Sequence, residues 1–461
     1  MYLQILINIA LVVIGVLLFI FIIFAHEFGH FITAKRSGVQ VNEFSLGMGP
    51  KLFSFKKGET QYSLRLLPLG GYCAMEGEDE ESANPRAFTN AKVWKRMIII
   101  VAGAVMNIVV GFLLMFVFTV NQPYFVGTTV TEFAPYAYTA NAGLEVGDKI
   151  VSVGGYSVAN SRDLQLGIQL LPCEEVDPQS VTVYKQDCCT DATNYLYTMR
   201  DELKLIDDDT ANTLYRDVLI PEAKKINAAK SKDEAYALFK GIIDSYYTTA
   251  KAEKPKDFQY PEIEVRDKRL RYQGDVSVIR NGEKQELTDV QFYTYRKSDE
   301  QTAVGIDFYL DSKDKNFFTI MEESYTGTVS LAKSVWKSLQ MLVQGRFHLT
   351  DMSGPVGITK AVSDVAAAGL ETGFGDAVLN IVFVMALISV NLGIVNMLPF
   401  PALDGGRFVF LVIEAITRRH IPRKVEYIVN GIGLGILLLF LVFITGSDIF
   451  KLITGTFPTM Q

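Results

Sequence analysis

A chain of 461 residues is too long for a single compact core, so several domains, or a membrane part with soluble appendages, are expected. Hydrophobic residues make up 49% and mean hydropathy is +0.20, yet 21% of residues are charged, a mixture that fits apolar spans alternating with wet domains better than a uniform globule. A formal net charge of -7, with no basic tract interleaved with aromatics, excludes nucleic acid as a partner.

The first element is an uncharged apolar run from Ile5 to Phe24, long enough as a helix to cross a ~30 Å hydrocarbon layer at ~1.5 Å per residue. With no basic stretch before it and no small-residue cleavage site after it, a transmembrane helix is expected and not a signal peptide. It leads directly into His26-Glu27-Phe28-Gly29-His30. Short β-type runs follow (Val41 to Leu46, Lys51 to Phe55, Gln61 to Leu66) with glycine-containing turns between them, and predict a hairpin or small sheet. The acidic run Glu76 to Glu81 reads as a solvated loop. A second span is expected over Met97 to Val120.

Beyond it, residues 127 to 171 and 274 to 310 carry short β-type segments, the first around Ala142-Gly143-Leu144-Glu145-Val146-Gly147-Asp148-Lys149-Ile150. Between them, Pro172 to Gln273 is rich in charge, alanine and lysine, and its apolar period (Ala235, Leu238, Phe239, Ile242, Ile243) predicts a mostly helical insertion. Cys173, Cys188 and Cys189 fall near or within it and Cys73 stands apart; an adjacent pair and an odd number make a disulfide framework a poor expectation. Amphipathic helices are expected between 316 and 345, lying against the membrane surface or the bundle. The third and fourth spans are Ala377 to Leu398 and Ile428 to Ile444.

Lysine and arginine orient the spans. Lys35, Arg36, Lys51, Lys56, Lys57, Lys92, Lys95 and Arg96 lie between the first two, and Arg418, Arg419, Arg423 and Lys424 between the last two. Both loops are therefore cytoplasmic, and residues 121 to 376 and both termini extracytoplasmic.

The chemistry concentrates at His26, Glu27 and His30. Two histidines four apart project from one helix face and can grip one zinc ion, and a carboxylate beside them can take a proton from zinc-bound water. Two histidines packed inertly in a helix interior are the bland alternative, but such groups are expensive at membrane depth and are functional there by default. A catalytic zinc needs a third protein ligand and an open position. The first and third spans run in the same direction, and the third ends at Asn396-Met397-Leu398-Pro399-Phe400-Pro401-Ala402-Leu403-Asp404-Gly405-Gly406, so Asp404 arrives at about the depth of the histidines. Its prolines and glycines predict a broken helix, tolerated at that depth where it lines a cavity. His348, His420 and Glu414 are rival ligands; His348 falls on the external side and His420 in a basic tail, which leaves Asp404 ahead.

HEFGH at the end of a first span, NMLPFPALDGG after a third, and AGLEVGDKIVSVGG between spans together resemble the site-2 protease family, in its bacterial branch similar to the regulator-of-sigma-E protease. The resemblance covers nearly the whole chain except 172 to 273. It implies His26, His30 and Asp404 as zinc ligands, Glu27 as general base, Asn396 as a hold on the substrate backbone, and substrate contacts from Pro399 and Pro401. It also implies a PDZ-like module, split by an insertion far above ordinary connection lengths of ~4 to 6 residues.

The expected architecture is a polytopic α-helical membrane protein with four transmembrane helices, a cytoplasmic-side membrane-associated β-hairpin, and an extracytoplasmic PDZ-like α+β domain carrying a helical insertion. In order it runs 1–35 (first span with HEFGH), 36–92 (hairpin region), 93–120 (second span), 121–171 with 274–310 (PDZ-like halves) around 172–273 (insertion), 311–376 (amphipathic helices), 377–400 (third span), 401–427 (LDGG loop and short helix), 428–446 (fourth span) and 447–461 (tail). The expected activity is a zinc-dependent cut within or near the transmembrane helix of a single-pass protein in a bacterial plasma membrane, the substrate being an anti-sigma factor or a signal-peptide remnant. The cofactor is Zn2+, the partners are that substrate and the lipid bilayer, and the sequence assigns no oligomeric state. The hairpin's edge strands offer an extended substrate strand addition, replacing lost helical hydrogen bonds. A silent receptor binding protein tails through the PDZ-like module is the competing class, against which the intact motif residues speak. A zinc transporter is disfavoured because the second and fourth spans carry only Asn107 and Asn430 as candidate polar ligands.

Overall fold

The computed structural model describes residues 2–78, 82–135, 137–177, 180–263, 269–298, 301–304, 306–346, 354–419 and 422–454. The chain forms two compact units, one of Met1–Pro123 with Lys315–Gln461 and the other of Tyr124–Asp314.

The first unit opens with helix α1 (Tyr2–Ser37), uninterrupted because no proline or glycine pair breaks its apolar run. Gly38, at φ +83, ends it: the Gly38 and Val39 amides fold back onto the Lys35 and Ala34 carbonyls at 3.1 and 3.0 Å, a left-handed stop that glycine accepts without strain. Strands β1 (Val41–Lys57) and β2 (Thr60–Met75) are longer than the three short runs read from the sequence. They curl into one sheet in which Glu43–Leu46 faces Gly71–Ala74 on one side and Gln61–Leu64 on the other, leaving 51–57 and 71–75 as the outer lines. Leu52, Phe53, Phe55, Leu64, Leu66 and Leu67 are all exposed, on both faces, which water alone would not tolerate. At the turn, Glu59 binds Arg86 (2.6 and 2.9 Å) and Lys35 (2.5 Å), and these two cations pull its carboxyl down to about 2. Helix α2 (Val93–Val120) then packs against α1.

The second unit holds an eight-stranded sheet. Strands β3 (Phe125–Phe133), β4 (Lys149–Val153) and β5 (Tyr156–Ser157) precede helix α3 (Ser161–Gln169), capped by Asn160, and strand β6 (Cys173–Val176). Helices α4 (Val181–Asp201), α5 (Asp208–Leu214), α6 (Ile220–Ala228) and α7 (Lys232–Ala250) follow. The chain returns through β7 (Arg269–Arg280), β8 (Glu283–Ser298), β9 (Gln301–Val304) and β10 (Phe308–Lys313). The strand order is β10-β3-β4-β7-β8-β9, with β5 on β4 and β6 on β7, so the two β-type halves do join, Val153 opposite Val276. Val130, Ile150, Val153, Leu164, Ile168, Val278 and Phe292 are its core. The helices have a separate one built on Leu196, Met199, Phe239, Ile242, Ile243 and Tyr246, where Cys188 and Cys189 are buried as free thiols. One boundary differs from the sequence reading. Cys173 pairs with Tyr272 and Val176 with Arg269, so both ends of the segment read as insertion belong to the sheet, and the helices begin only at Val181.

The chain re-enters the first unit through α8 (Phe317–Val343), started by a capping box in which Asn316 and Thr319 exchange hydrogen bonds. Helix α9 (Pro355–Thr372) is held at its start by the buried Asp448, which accepts from the Gly354 and Gly357 amides at 2.9 and 2.8 Å. Helix α10 (Phe374–Asn396) packs into α1 and α2, with α11 (Asp404–Thr417) and α12 (Arg423–Thr454) completing the unit. Because α12 runs to Thr454, the segment read as a tail from 447 begins as helix. Small residues set the spacing of the inner helices. A Cβ on Gly29 would lie 2.4 Å from the Ala102 carbonyl oxygen, one on Gly111 would lie 2.5 Å from Val390 Cγ2, and one on Gly393 would lie 2.9 Å from the Ala104 carbonyl oxygen. Among the described residues, four helices are long and apolar enough to cross a membrane: Ile9–Ser37, Val93–Val120, Phe374–Asn396 and Lys424–Thr454.

Candidate metal centre

His26 and His30 lie one turn apart on α1, both buried, with rings 4.9 Å apart and nearly perpendicular. Their Nε2 atoms are 3.2 Å apart, and Asp404 Oδ2 lies 3.2 Å from the first and 3.3 Å from the second. Tetrahedral zinc with bonds of ~2.0–2.1 Å would space its ligand atoms by about 3.3 Å, so three corners of such a site are already at the required separation. Asp404 Oδ2 is buried with no hydrogen-bond donor among the described residues, an unfavourable state that a cation would relieve. The residues present therefore fit zinc, which would be held by the two imidazoles and the Asp404 carboxylate.

Asp404 is aimed there by a compact turn. Helix α10 stops at Asn396, two residues before Leu398, whose successor Pro399 bars the helical continuation. The Phe400 amide reaches the Leu398 carbonyl at 2.7 Å, Ala402 adopts φ +73, and the Ala402 amide is tied to Asn430 Oδ1 of α12 at 3.2 Å. Gly405 and Gly406 let the start of α11 fold onto that turn: Cβ atoms there would lie 2.2 Å from the Leu398 and 2.4 Å from the Phe400 carbonyl oxygens. Asp404 is thus the first residue of α11.

Asn396, at the end of α10, brings Nδ2 to 3.4 Å from His26 Nε2. Glu27 is half-buried beside His26, His30 and Asp404, and β2 runs past it, since a Cβ on Gly71 would lie 3.0 Å from Glu27 Cγ. The prolines stand differently. Pro401 is packed under α12, where Gly433 is bare enough to receive it, and Pro399 is exposed. Of the rival ligands, Glu414 is occupied by a buried two-point ion pair with Arg96 (3.1 and 2.5 Å) joining α2 to α11. His348 and His420 lie outside the described residues. A cavity of about 880 Å³ reaches Asp404 and is lined by Glu78, Arg96, Arg407, Glu414 and Asn430 among others.

The Arg96–Glu414 pair gives a stability prediction. Arg96→Met removes the two-point partner of the buried Glu414 carboxylate and should destabilise the detergent-solubilised protein by up to ~3–5 kcal/mol, whereas Arg96→Met with Glu414→Leu should recover most of the loss. Thermal unfolding of the two variants measures it, and equal melting temperatures would refute the pairing's importance.

Sequence reasoning did not single out the part of α2 that backs the histidines. His30 Nδ1 lies 2.8 Å from the Ile99 carbonyl oxygen, Asn107 Nδ2 lies 3.1 Å from His26 Nδ1, and a Cβ on Gly103 would fall 2.3 Å from His30 Nε2. The available signal was their spacing, since 99, 103 and 107 repeat at four and share one helix face.

The profile of peptidase family M50 matches residues 14–440, and the chain belongs to that family, the site-2 proteases. The regulator of sigma-W protease RasP of Bacillus subtilis is 29% identical over 95% of this chain and 97% of its own length. The zinc metalloprotease RasP of Bacillus licheniformis is 28% identical over 95% and 98%. A protein of Clostridium acetobutylicum, provisionally named a zinc metalloprotease, is 28% identical over 95% and 97%. The chain is a zinc metalloendopeptidase and a multi-pass membrane protein with a β-rich domain.

Proposed function

We propose that this protease cuts a peptide bond within or near the transmembrane helix of a single-pass membrane protein, as a step of regulated intramembrane proteolysis. The observation that carries the reading is the meeting of His26, His30 and Asp404 beside Glu27 on helices apolar enough to cross a membrane. In this reading His26, His30 and Asp404 hold the metal. When bound there, zinc would supply an acidified water and polarise the scissile carbonyl. Glu27 would take a proton from the attacking water and pass it to the leaving amine. Asn396, with its amide beside the ligand set, holds the substrate backbone. Pro399 contributes to the substrate path, while Pro401 acts by bracing the turn against α12.

A helix hides its peptide bonds in its own hydrogen bonds, so the substrate must be unwound and offered replacements. The line Gly71–Met75 is an outer strand of the hairpin sheet and passes Glu27, which suits it to pair with an extended substrate beside the base. The apolar side chains on both hairpin faces favour contact with lipid. The lysine and arginine loops set the hairpin on the cytoplasmic side and the Tyr124–Asp314 unit, with its PDZ-like sheet, outside together with both termini. The substrate class is an anti-sigma factor or a signal-peptide remnant; the name of the Bacillus subtilis relative points to the first.

The test is reconstitution in liposomes with a tagged single-pass substrate, locating the cut by mass spectrometry. Cleavage inside the apolar segment is expected, and proline at Tyr72 or Cys73 should slow it ~10-fold, the worth of one or two hydrogen bonds, with zinc content unchanged. Cleavage confined to soluble segments would overturn the reading.

A further inference from the structure

We infer that Asn107 is a positioning residue that fixes the His26 ring for metal binding, serving His26 as the Ile99 carbonyl serves His30. The inference rests on the reading of His26, His30 and Asp404 as ligands.

The metal-facing atoms of both imidazoles are the Nε2 atoms, which converge with Asp404 Oδ2. A neutral imidazole whose Nε2 is given to a metal carries its hydrogen on Nδ1, and that N–H needs an acceptor. His30 has one, the Ile99 carbonyl at 2.8 Å. The group facing His26 Nδ1 is the Asn107 side-chain amide, 3.1 Å away through Nδ2. Asn107 is fully buried, and its Oδ1 has no hydrogen-bond donor among the described residues. Turning the amide by half a revolution exchanges oxygen and nitrogen with no change of shape, and it puts the orphaned oxygen onto the Nδ1 hydrogen. The one rotation satisfies the buried acceptor and locks the ring so that Nε2 faces the metal.

The backbone around Asn107 is arranged for this. Ile99, Gly103 and Asn107 line one face of α2, with Gly103 leaving the seat that both rings occupy. Ser389 Oγ of α10 donates to the Asn107 backbone carbonyl at 2.7 Å, which braces α2 and leaves the side-chain amide free for His26. A buried asparagine in an apolar helix often serves as interhelical glue, but glue would aim its amide at α10, where the structure shows the backbone carbonyl in use instead.

The experiment compares zinc affinity of the full-length protein in detergent, by chelator competition, for Asn107→Ala, Asn107→Leu and Asn107→Asp, with the Co2+ absorption spectrum as a second readout. Loss of the acceptor should weaken zinc binding ~10- to 100-fold in both apolar variants and alter the Co2+ bands. Aspartate, which keeps an acceptor oxygen, should restore affinity to within a few-fold. Wild-type affinity and spectrum in the apolar variants, or failure of aspartate to rescue, would overturn the assignment. His26→Ala runs alongside: if that variant also kept wild-type affinity, the ligand reading itself would fall. If Leu is too bulky to fold, the Ala and Asp pair decides alone.

Discussion

Glu27→Gln should abolish proteolysis and leave zinc content near one equivalent. Removing a positioned general base typically costs ~10²–10⁴ in rate, and in the proposed mechanism the same carboxyl also returns the proton to the leaving amine. Glutamine keeps the volume and the polar contacts of the side chain beside Gly71, so the packing of β2 on α1 is preserved. The proposed ligand atoms are those of His26, His30 and Asp404, none of which the substitution touches. Cleavage of a reconstituted substrate, read together with metal analysis of the same preparation, separates the outcomes. Turnover within ten-fold of wild type would remove Glu27 from the role of base, and zinc loss would mean that it helps hold the metal.

Asp404→Ala should lower both bound zinc and activity, because two histidines alone leave the metal two-coordinate from the protein where catalytic sites offer three ligands. The loss of affinity should exceed the ~10- to 100-fold typical of an outer-shell partner. His348→Ala and His420→Ala should change neither quantity. Equal zinc content in wild type and Asp404→Ala would exclude this carboxylate as a ligand.

The parts of this site legible in the sequence were those set by local geometry. Histidines four apart must share a helix face, and the α1 helix places His26 and His30 accordingly. Asp404 could be reached by one further step, because two spans running the same way deliver their ends to one level. Pairings across long separations were not legible. Glu414 could be discounted only by finding Arg96 on another helix, and Asn107 had no assigned role until the register of α2 against α1 was known. Nor could composition show that Pro401 faces α12, which depends on Gly433 meeting it. The hairpin was read as short runs because Gly47 and Gly49, both at positive φ, bend a strand that continues through them. The limits of the insertion were misjudged for a related reason, since β6 has only four residues and its partner β7 lies far along the chain.

The β6–β7 pairing governs how the Tyr124–Asp314 unit is made. Val176 and Arg269 sit opposite one another, so the stretch of about ninety residues between them leaves and returns at one point, like a bulb on a two-wire stem. Closing so long a floppy loop would cost on the order of 4 kcal/mol in chain entropy. A prefolded helical bundle with its own core removes most of that cost by bringing its two ends together beforehand. During synthesis, β3 and β4 emerge first and wait, because β7, the strand that β4 and β8 both need, is delivered only after the bundle has been made. Assembly of the sheet is thereby subordinated to a body that contributes no strand to it, and a defect in the Phe239 and Tyr246 core would first be felt as slow or failed closure of β4 on β7.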